Sequence, residues 1–132
     1  MCTPQPSQLE HLFIDRRVRP TKIRPQVFTG YGVKLLAAAA QAPVILLDEI
    51  GGVDLLSPPF YAGLCQLFTQ PGKIIGVFKS TVNYKRQKQH QHFDVTERRQ
   101  ALLQLIDRQQ GSVVPVTTNQ TAIYQQLNQF LA

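Results

Sequence analysis

Two stretches of this chain are apolar without a break, and they frame the reading of the rest. Val44-Ile45-Leu46-Leu47 is followed directly by Asp48-Glu49, and residues 74–78 run Ile-Ile-Gly-Val-Phe. A short continuous apolar run, as opposed to an alternating one, fits a strand covered on both faces in a parallel sheet. Between them lies a well-marked helix. Ser57 suits the N-cap, Pro58 the first helical position, and Gln70-Pro71-Gly72 the end. Phe60, Leu64, Leu67 and Phe68 recur at i, i+4, i+7 and i+8, giving it one apolar face.

Weaker patterns fill the remainder. Residues 24–29 read as a strand broken by Gly30-Tyr31-Gly32, then an Ala- and Leu-rich helix over 33–41. Residues 80–93 are polar, basic and glutamine-rich and read as a long loop. Asp94-Val95-Thr96-Glu97 has the form of a helix start, with Leu102, Leu105 and Ile106 as the buried face and Gly111 as the stop. Residues 112–117 read as a third strand, placed at an edge because Pro115 cannot donate to a ladder. Asn119 then caps a last helix with Ile123, Leu127, Phe130 and Leu131 on one side. Alternating strands and helices predict one α/β domain over residues 1–132, a mostly parallel sheet flanked by helices.

Composition narrows the class without naming a chemistry. With 43% hydrophobic and 17% charged residues in 132, the balance is that of an ordinary globular domain. No apolar run is long enough to cross a membrane, and Met1 to Pro6 lacks the basic and apolar regions of a secretory signal, so the cytoplasm is expected. Cys65 falls in an apolar helical stretch and reads as a buried free thiol. The net charge of +6 comes largely from Arg16, Arg17, Arg19, Lys22 and Arg24, then Lys79, Lys85, Arg86 and Lys88. A basic field attracts phosphates, although a solvated surface accounts for the same residues.

The chemistry concentrates at the end of the first apolar strand. Four apolar residues followed by Asp-Glu form a Walker B pattern, and ligands of open α/β sheets bind beyond the carboxyl ends of strands. There Asp48 can hold Mg2+ beside substrate phosphates, while the adjacent Glu49 orients and deprotonates the attacking water. Alone the pattern is weak, because buried strands often end in acidic residues that only cap the next turn.

The surroundings make it more specific. Asp48-Glu49-Ile50-Gly51-Gly52-Val53-Asp54-Leu55-Leu56-Ser57-Pro58-Pro59-Phe60 resembles the stretch around Walker B in the thermophilic, cancer-related nucleoside-triphosphatase family of P-loop proteins. Val53 stands where that family has a methionine, and Asp54 where it has an acidic residue. Ile75-Gly76-Val77-Phe78-Lys79 resembles its next strand, and Val113-Val114-Pro115-Val116-Thr117-Thr118-Asn119 its last strand and the Thr-x-Asn turn near the nucleotide base. The resemblance runs from about Phe28 to the C-terminus. It implies a nucleoside triphosphate as ligand and nucleotide-contacting roles for Lys79, Thr117 and Asn119.

Two departures qualify it. Gln120 replaces the arginine that usually follows the asparagine. More importantly, no G-x-x-x-x-G-K-[ST] run occurs, and Gly72-Lys73, the one Gly-Lys pair, precedes a strand. Without the P-loop strand the neighbouring strands are left with unpaired backbone groups. A strand from residues 9–14, a reordered sheet, or another chain, including a second copy, is expected to fill the gap. Hydrolysis by the chain alone is expected to be poor, because phosphoryl transfer depends on positioning.

Other candidates are weaker. Gly30-Tyr31-Gly32 reads as a tight turn, since Leu35 occupies the third position of a dinucleotide fingerprint. His90 and His92 read as solvated loop histidines. The basic stretch Lys85-Arg86-Gln87-Lys88, edged by Tyr84 and Phe93, supports an alternative function as a nucleic-acid or phosphate-binding module, with the aromatic residues stacking on bases. A third reading is a scaffold that keeps the fold for its surfaces.

Overall fold

The computed structural model describes residues 14–15, 22–116 and 120–132. Its centre is a parallel pair, β3 (Val44–Ile50) and β4 (Lys73–Phe78), joined through α2 (Pro58–Thr69). This is the strand–helix–strand unit that the two continuous apolar runs predict. The register sets Ile45 against Ile74 and Leu47 against Gly76. Alternation therefore turns Ile45, Leu47, Ile74 and Phe78 to one face, where they pack into the core with Leu36, Leu55, Phe60, Leu64, Leu67 and Leu102. These residues come from α1 (Val33–Ala39), a 3-10 turn (Val53–Leu56), α2 and α4 (Thr96–Arg108).

The side chains on the opposite face are exposed among the described residues. Leu46 is 75% exposed, and Val44 and Val77 are exposed beside it. Continuous apolarity correctly marks these strands, but the cover on both faces that it implies is found on one face only. Between them the helices α1 to α4 and α5 (Gln120–Leu131) complete an α/β arrangement with a parallel sheet flanked by helices.

The start of α2 shows how sequence becomes geometry. Ser57 is extended, and its Oγ accepts the Phe60 N–H at 3.3 Å, satisfying a donor that the first helical turn leaves free. Pro58 follows at the first position, where no N–H is needed. The same Oγ lies 2.7 Å from Thr29 Oγ1, tying α2 to the π-helical turn Phe28–Gly32 that leads into α1. Phe28 also meets the Phe60 ring, with centroids 5.1 Å apart.

Four expectations are corrected. Residues 24–29 do not form a strand: the chain enters helical structure and runs through Gly30-Tyr31-Gly32 as a π-helical turn, not a tight turn. Residues 80–93 are not a long loop, because Ser80 caps α3 (Thr81–Gln91) by accepting the Asn83 N–H at 3.1 Å. The apolar periodicity is missing since Tyr84 alone of that helix is buried. Residues 112–116 belong to no strand, and Val116 is 81% exposed. Finally, Ile14 pairs not with the parallel sheet but with Ile23, in a two-residue antiparallel pair, β1 (Ile14–Asp15) with β2 (Lys22–Ile23). Residues 9–13 and 117–119 lie outside the described residues, and with them the rest of the expected filler strand, Thr117 and the Asn119 cap.

Smaller details follow the same physics. α4 begins at Thr96, whose N–H is accepted by Asp94 Oδ1 at 2.9 Å. It closes through Gln110, left-handed at φ 63°, and the Gly111 N–H reaches the Ile106 carbonyl at 2.8 Å. Cys65 is a free thiol, partly buried against the core.

Two substitutions test this packing by urea unfolding. Ser57→Ala should lower stability by about 1 kcal/mol through the lost cap. Leu64→Ala, at a fully buried site, should cost about 2–5 kcal/mol, with the slope of the transition unchanged. Equal effects of the two would contradict the assignment of Leu64 to the core.

Candidate functional site

The two acidic residues occupy an irregularity in the sheet. Pairing steps from Leu47 opposite Gly76 to Ile50 opposite Phe78, so β3 spends three residues where β4 spends two. That extra residue is a β-bulge, a device that re-aims side chains at sheet ends. Glu49 has φ 49°, in the left-handed region that a non-glycine residue rarely occupies. Such a conformation costs on the order of 1–3 kcal/mol and persists only where the surroundings hold it. Asp48 and Glu49 are both exposed.

They line a cleft of about 450 Å³. Leu46, Leu47 and Ile50 of β3 form one wall, and Phe28, Tyr31 and Leu35 of the π-turn and α1 form another. The cleft is mostly apolar, and the carboxylates are its chemistry.

The loop after the bulge is more deeply buried than the strand that feeds it. Ile50, Gly51, Gly52, Val53, Asp54 and Leu55 are all buried. Asp54 explains how polar backbone survives there: its Oδ2 accepts the Gly51 N–H at 3.1 Å and its Oδ1 the Gly52 N–H at 2.7 Å. Burial pushes the Asp54 carboxyl above its ordinary value, while the two N–H donors, its own N–H and the Lys79 charge pull it back. The acidic residue of the resemblance is thus a buried loop staple.

A second buried charge clamps the loop from the other side. Arg99, 6% exposed, donates through Nη1 to the Gly51 carbonyl and through Nη2 to the Lys79 carbonyl at 2.9 Å. Its guanidinium stacks on the rings of Tyr84 and Phe78, 4.4 and 4.8 Å from their centroids. Gly51 is required by this crowding: its φ is 97°, and a Cβ there would sit 3.0 Å from the Phe78 ring and 3.1 Å from Arg99 Nη1. Burial lowers the Arg99 pKa, offset by Tyr84 and Asp54. Arg98 next to it donates to the Leu55 carbonyl and lies over Tyr61.

Lys79, directly after β4, turns toward the bulge. Its Nζ is 2.6 Å from Glu49 Oε1, and its N–H reaches the Ile50 carbonyl at 2.8 Å. The structure therefore brings together Asp48, Glu49 and Lys79 of the predicted site residues. Thr117 and Asn119 lie outside the described residues. Sequence reasoning missed Arg99. Its signal was present: Val95, Arg99, Leu102 and Ile106 share one stripe of α4, so a cation falls on the buried face.

The basic helix α3 offers less than its sequence suggests. Tyr84 is buried, its hydroxyl accepting the Val95 N–H at 2.8 Å and donating to Asp94 Oδ1 at 3.2 Å. Its ring meets Phe93 edge-on at 6.1 Å. Neither aromatic residue is presented for stacking on bases, and Lys88 pairs with Asp94 at 2.7 Å. His90 lies on α3 and His92 caps its end, rather than sitting in a loop. No group of three or more His, Cys, Asp or Glu side chains fit to hold a metal occurs among the described residues. No helix among them is long and apolar enough to cross a membrane.

A parallel strand–helix–strand unit flanked by helices is the α/β arrangement of a P-loop nucleoside-triphosphatase-like protein. A family model described as NTPase matches residues 7–121, and the chain belongs to that family. No curated protein and no solved structure matches it.

Asp54 gives a pH test with a definite sign. A carboxyl whose pKa is raised on folding binds its proton more tightly in the folded state, so its burden on stability is present above the raised pKa. That burden is relieved as pH falls toward the unfolded value of 3.8. Wild type should therefore gain stability relative to Asp54→Asn as the pH is lowered through this window, measured by urea unfolding at several pH values. A gap that is flat with pH, or widens in the opposite sense, would contradict the assignment.

Proposed function

We propose that this chain handles a magnesium–nucleoside triphosphate, with Asp48 as the metal-holding carboxylate, Glu49 as the base for the attacking water and Lys79 as a phosphate contact. The observation that carries the reading is the bulge, which sets both carboxylates at the carboxyl end of a parallel strand, on the rim of one cleft. The donor set suits magnesium. This ion takes one or two carboxylates together with waters and substrate phosphates, so a single exposed aspartate fits and a three-ligand cage is not needed. When bound, it would neutralise charge building on the phosphate oxygens. Glu49 would take the proton of the water attacking the terminal phosphorus, and the diphosphate would leave from the opposite side. Thr117 and Asn119 complete the reading as base contacts.

The 132 residues hold no P-loop, so this centre is incomplete as it stands. In our reading the chain by itself hydrolyses poorly, a different partner chain supplies the phosphate-holding segment, and that chain or a second copy completes the sheet. The parallel sheet supports this, because among the described residues each of its two strands has one neighbour. A nucleic-acid-binding role for the basic helix is the weaker alternative, given the buried Tyr84 and the paired Lys88. The cytoplasm remains the expected location.

The test is Glu49→Gln in the purified assembly that holds this chain, followed by phosphate release and nucleotide binding. Release should fall about a hundredfold or more, the usual contribution of a general base, with binding retained. Unchanged turnover would remove Glu49 from the mechanism.

A further inference from the structure

Lys79 is delivered to Glu49 with unusual constraint for a lysine. Both of its backbone polar groups are held, the N–H by the Ile50 carbonyl and the carbonyl by Arg99. Its stem lies over Gly52, where a Cβ would come within 2.7 Å of Cε and 2.8 Å of Gln87 Oε1. The side chain is 15% exposed, against 50% for that of Glu49. The ammonium is therefore led through a sheltered channel to one carboxylate oxygen at 2.6 Å. An exposed pair of flexible side chains gains little from such a contact, because ordering them costs entropy. Here most of that cost on the lysine side is already met by packing, so the pair is well populated in the absence of ligand.

This arrangement has a consequence for the chemistry proposed above. Glu49 Oε1 accepts from the ammonium, which fixes where the carboxylate points; its other lone pairs stay open, so the pair holds the base in one direction and does not fill it. A triphosphate is the stronger competitor for the ammonium, since it offers several charged oxygens. We infer that Lys79 is a positioning residue that holds Glu49 until a polyphosphate arrives, then transfers its ammonium to the phosphate and frees the carboxylate. The inference rests on the nucleotide reading of the same site. It makes the Lys79–Glu49 pair a lock opened by substrate, so the base is released only when there is something to hydrolyse.

A zero-length carbodiimide cross-link reads the pair directly, because it joins a lysine amine to a carboxylate in contact. The full chain is treated without and with magnesium–ATP, and linked peptides are quantified by mass spectrometry. Nucleotide occupancy is followed separately by fluorescence titration. The Lys88–Asp94 pair, at 2.7 Å and on different elements, serves as an internal reference. The expected result is a Lys79–Glu49 link in the free chain that disappears as ATP saturates, with the Lys88–Asp94 link unchanged. Inorganic tripolyphosphate should produce the same loss, since phosphate alone is the key. A link that persists at saturating nucleotide overturns the lock and leaves the nucleotide reading standing. Absence of the link in the free chain also overturns it. If no nucleotide binds at all, the nucleotide reading fails and the lock fails with it.

Discussion

The buried guanidinium of Arg99 is the group on which the rest of the site depends. It bonds both to the loop leaving β3 and to the residue leaving β4, through the carbonyls of Gly51 and Lys79. Removing a cation from water is costly unless its donors are matched. Here two donors meet backbone carbonyls and the flat faces meet two aromatic rings, so the charge fixes the distance between the strand ends. That distance is what allows Lys79 to reach Glu49. Deleting the guanidinium would strand the carbonyl of Gly51 in the buried loop, a penalty of about 1–3 kcal/mol, and free the partly buried carbonyl of Lys79.

Asp54 completes the same logic with the opposite sign. Arg99 takes the Gly51 carbonyl and Arg98 the Leu55 carbonyl of the buried loop, and Asp54 takes its N–H groups at Gly51 and Gly52. A segment with so little regular secondary structure stays buried because each end of its polar backbone has a charged partner. The bulge at Asp48 and Glu49 is the visible result: the loop is fixed behind it, the sheet register is fixed before it, and Glu49 is left in a left-handed conformation between them. Strain of this kind gathers where geometry serves chemistry.

Much of this was legible in the sequence, and the misses have physical causes. The two apolar runs and the Ser57-Pro58 helix start are local signals, and they fold as read. Glu49 and Lys79 were marked by motif and resemblance and meet in space, with Asp48 beside Glu49 in the chain, though no motif could show that the lysine bonds the glutamate. Helix α3 was unreadable by periodicity because it buries Tyr84 alone, and its glutamines and lysines fit a solvated helix as well as a loop. Residues 112–116 look like a strand because their three valines prefer extended backbone. A strand also needs a neighbour, and β propensity depends on that context. Arg99 was passed over because cations are expected on the wet side of a helix. Its place on the stripe with Val95 and Leu102 held the information.

The central claim is that the bulge carboxylates form a magnesium–nucleotide centre. It is tested most directly by titrating the purified assembly that holds this chain with a fluorescent ATP analogue, with and without magnesium, in wild type and in Asp48→Asn. The account predicts saturable binding that strengthens with magnesium in wild type and loses that dependence in the variant. Binding that is absent, or indifferent both to magnesium and to Asp48, would contradict it.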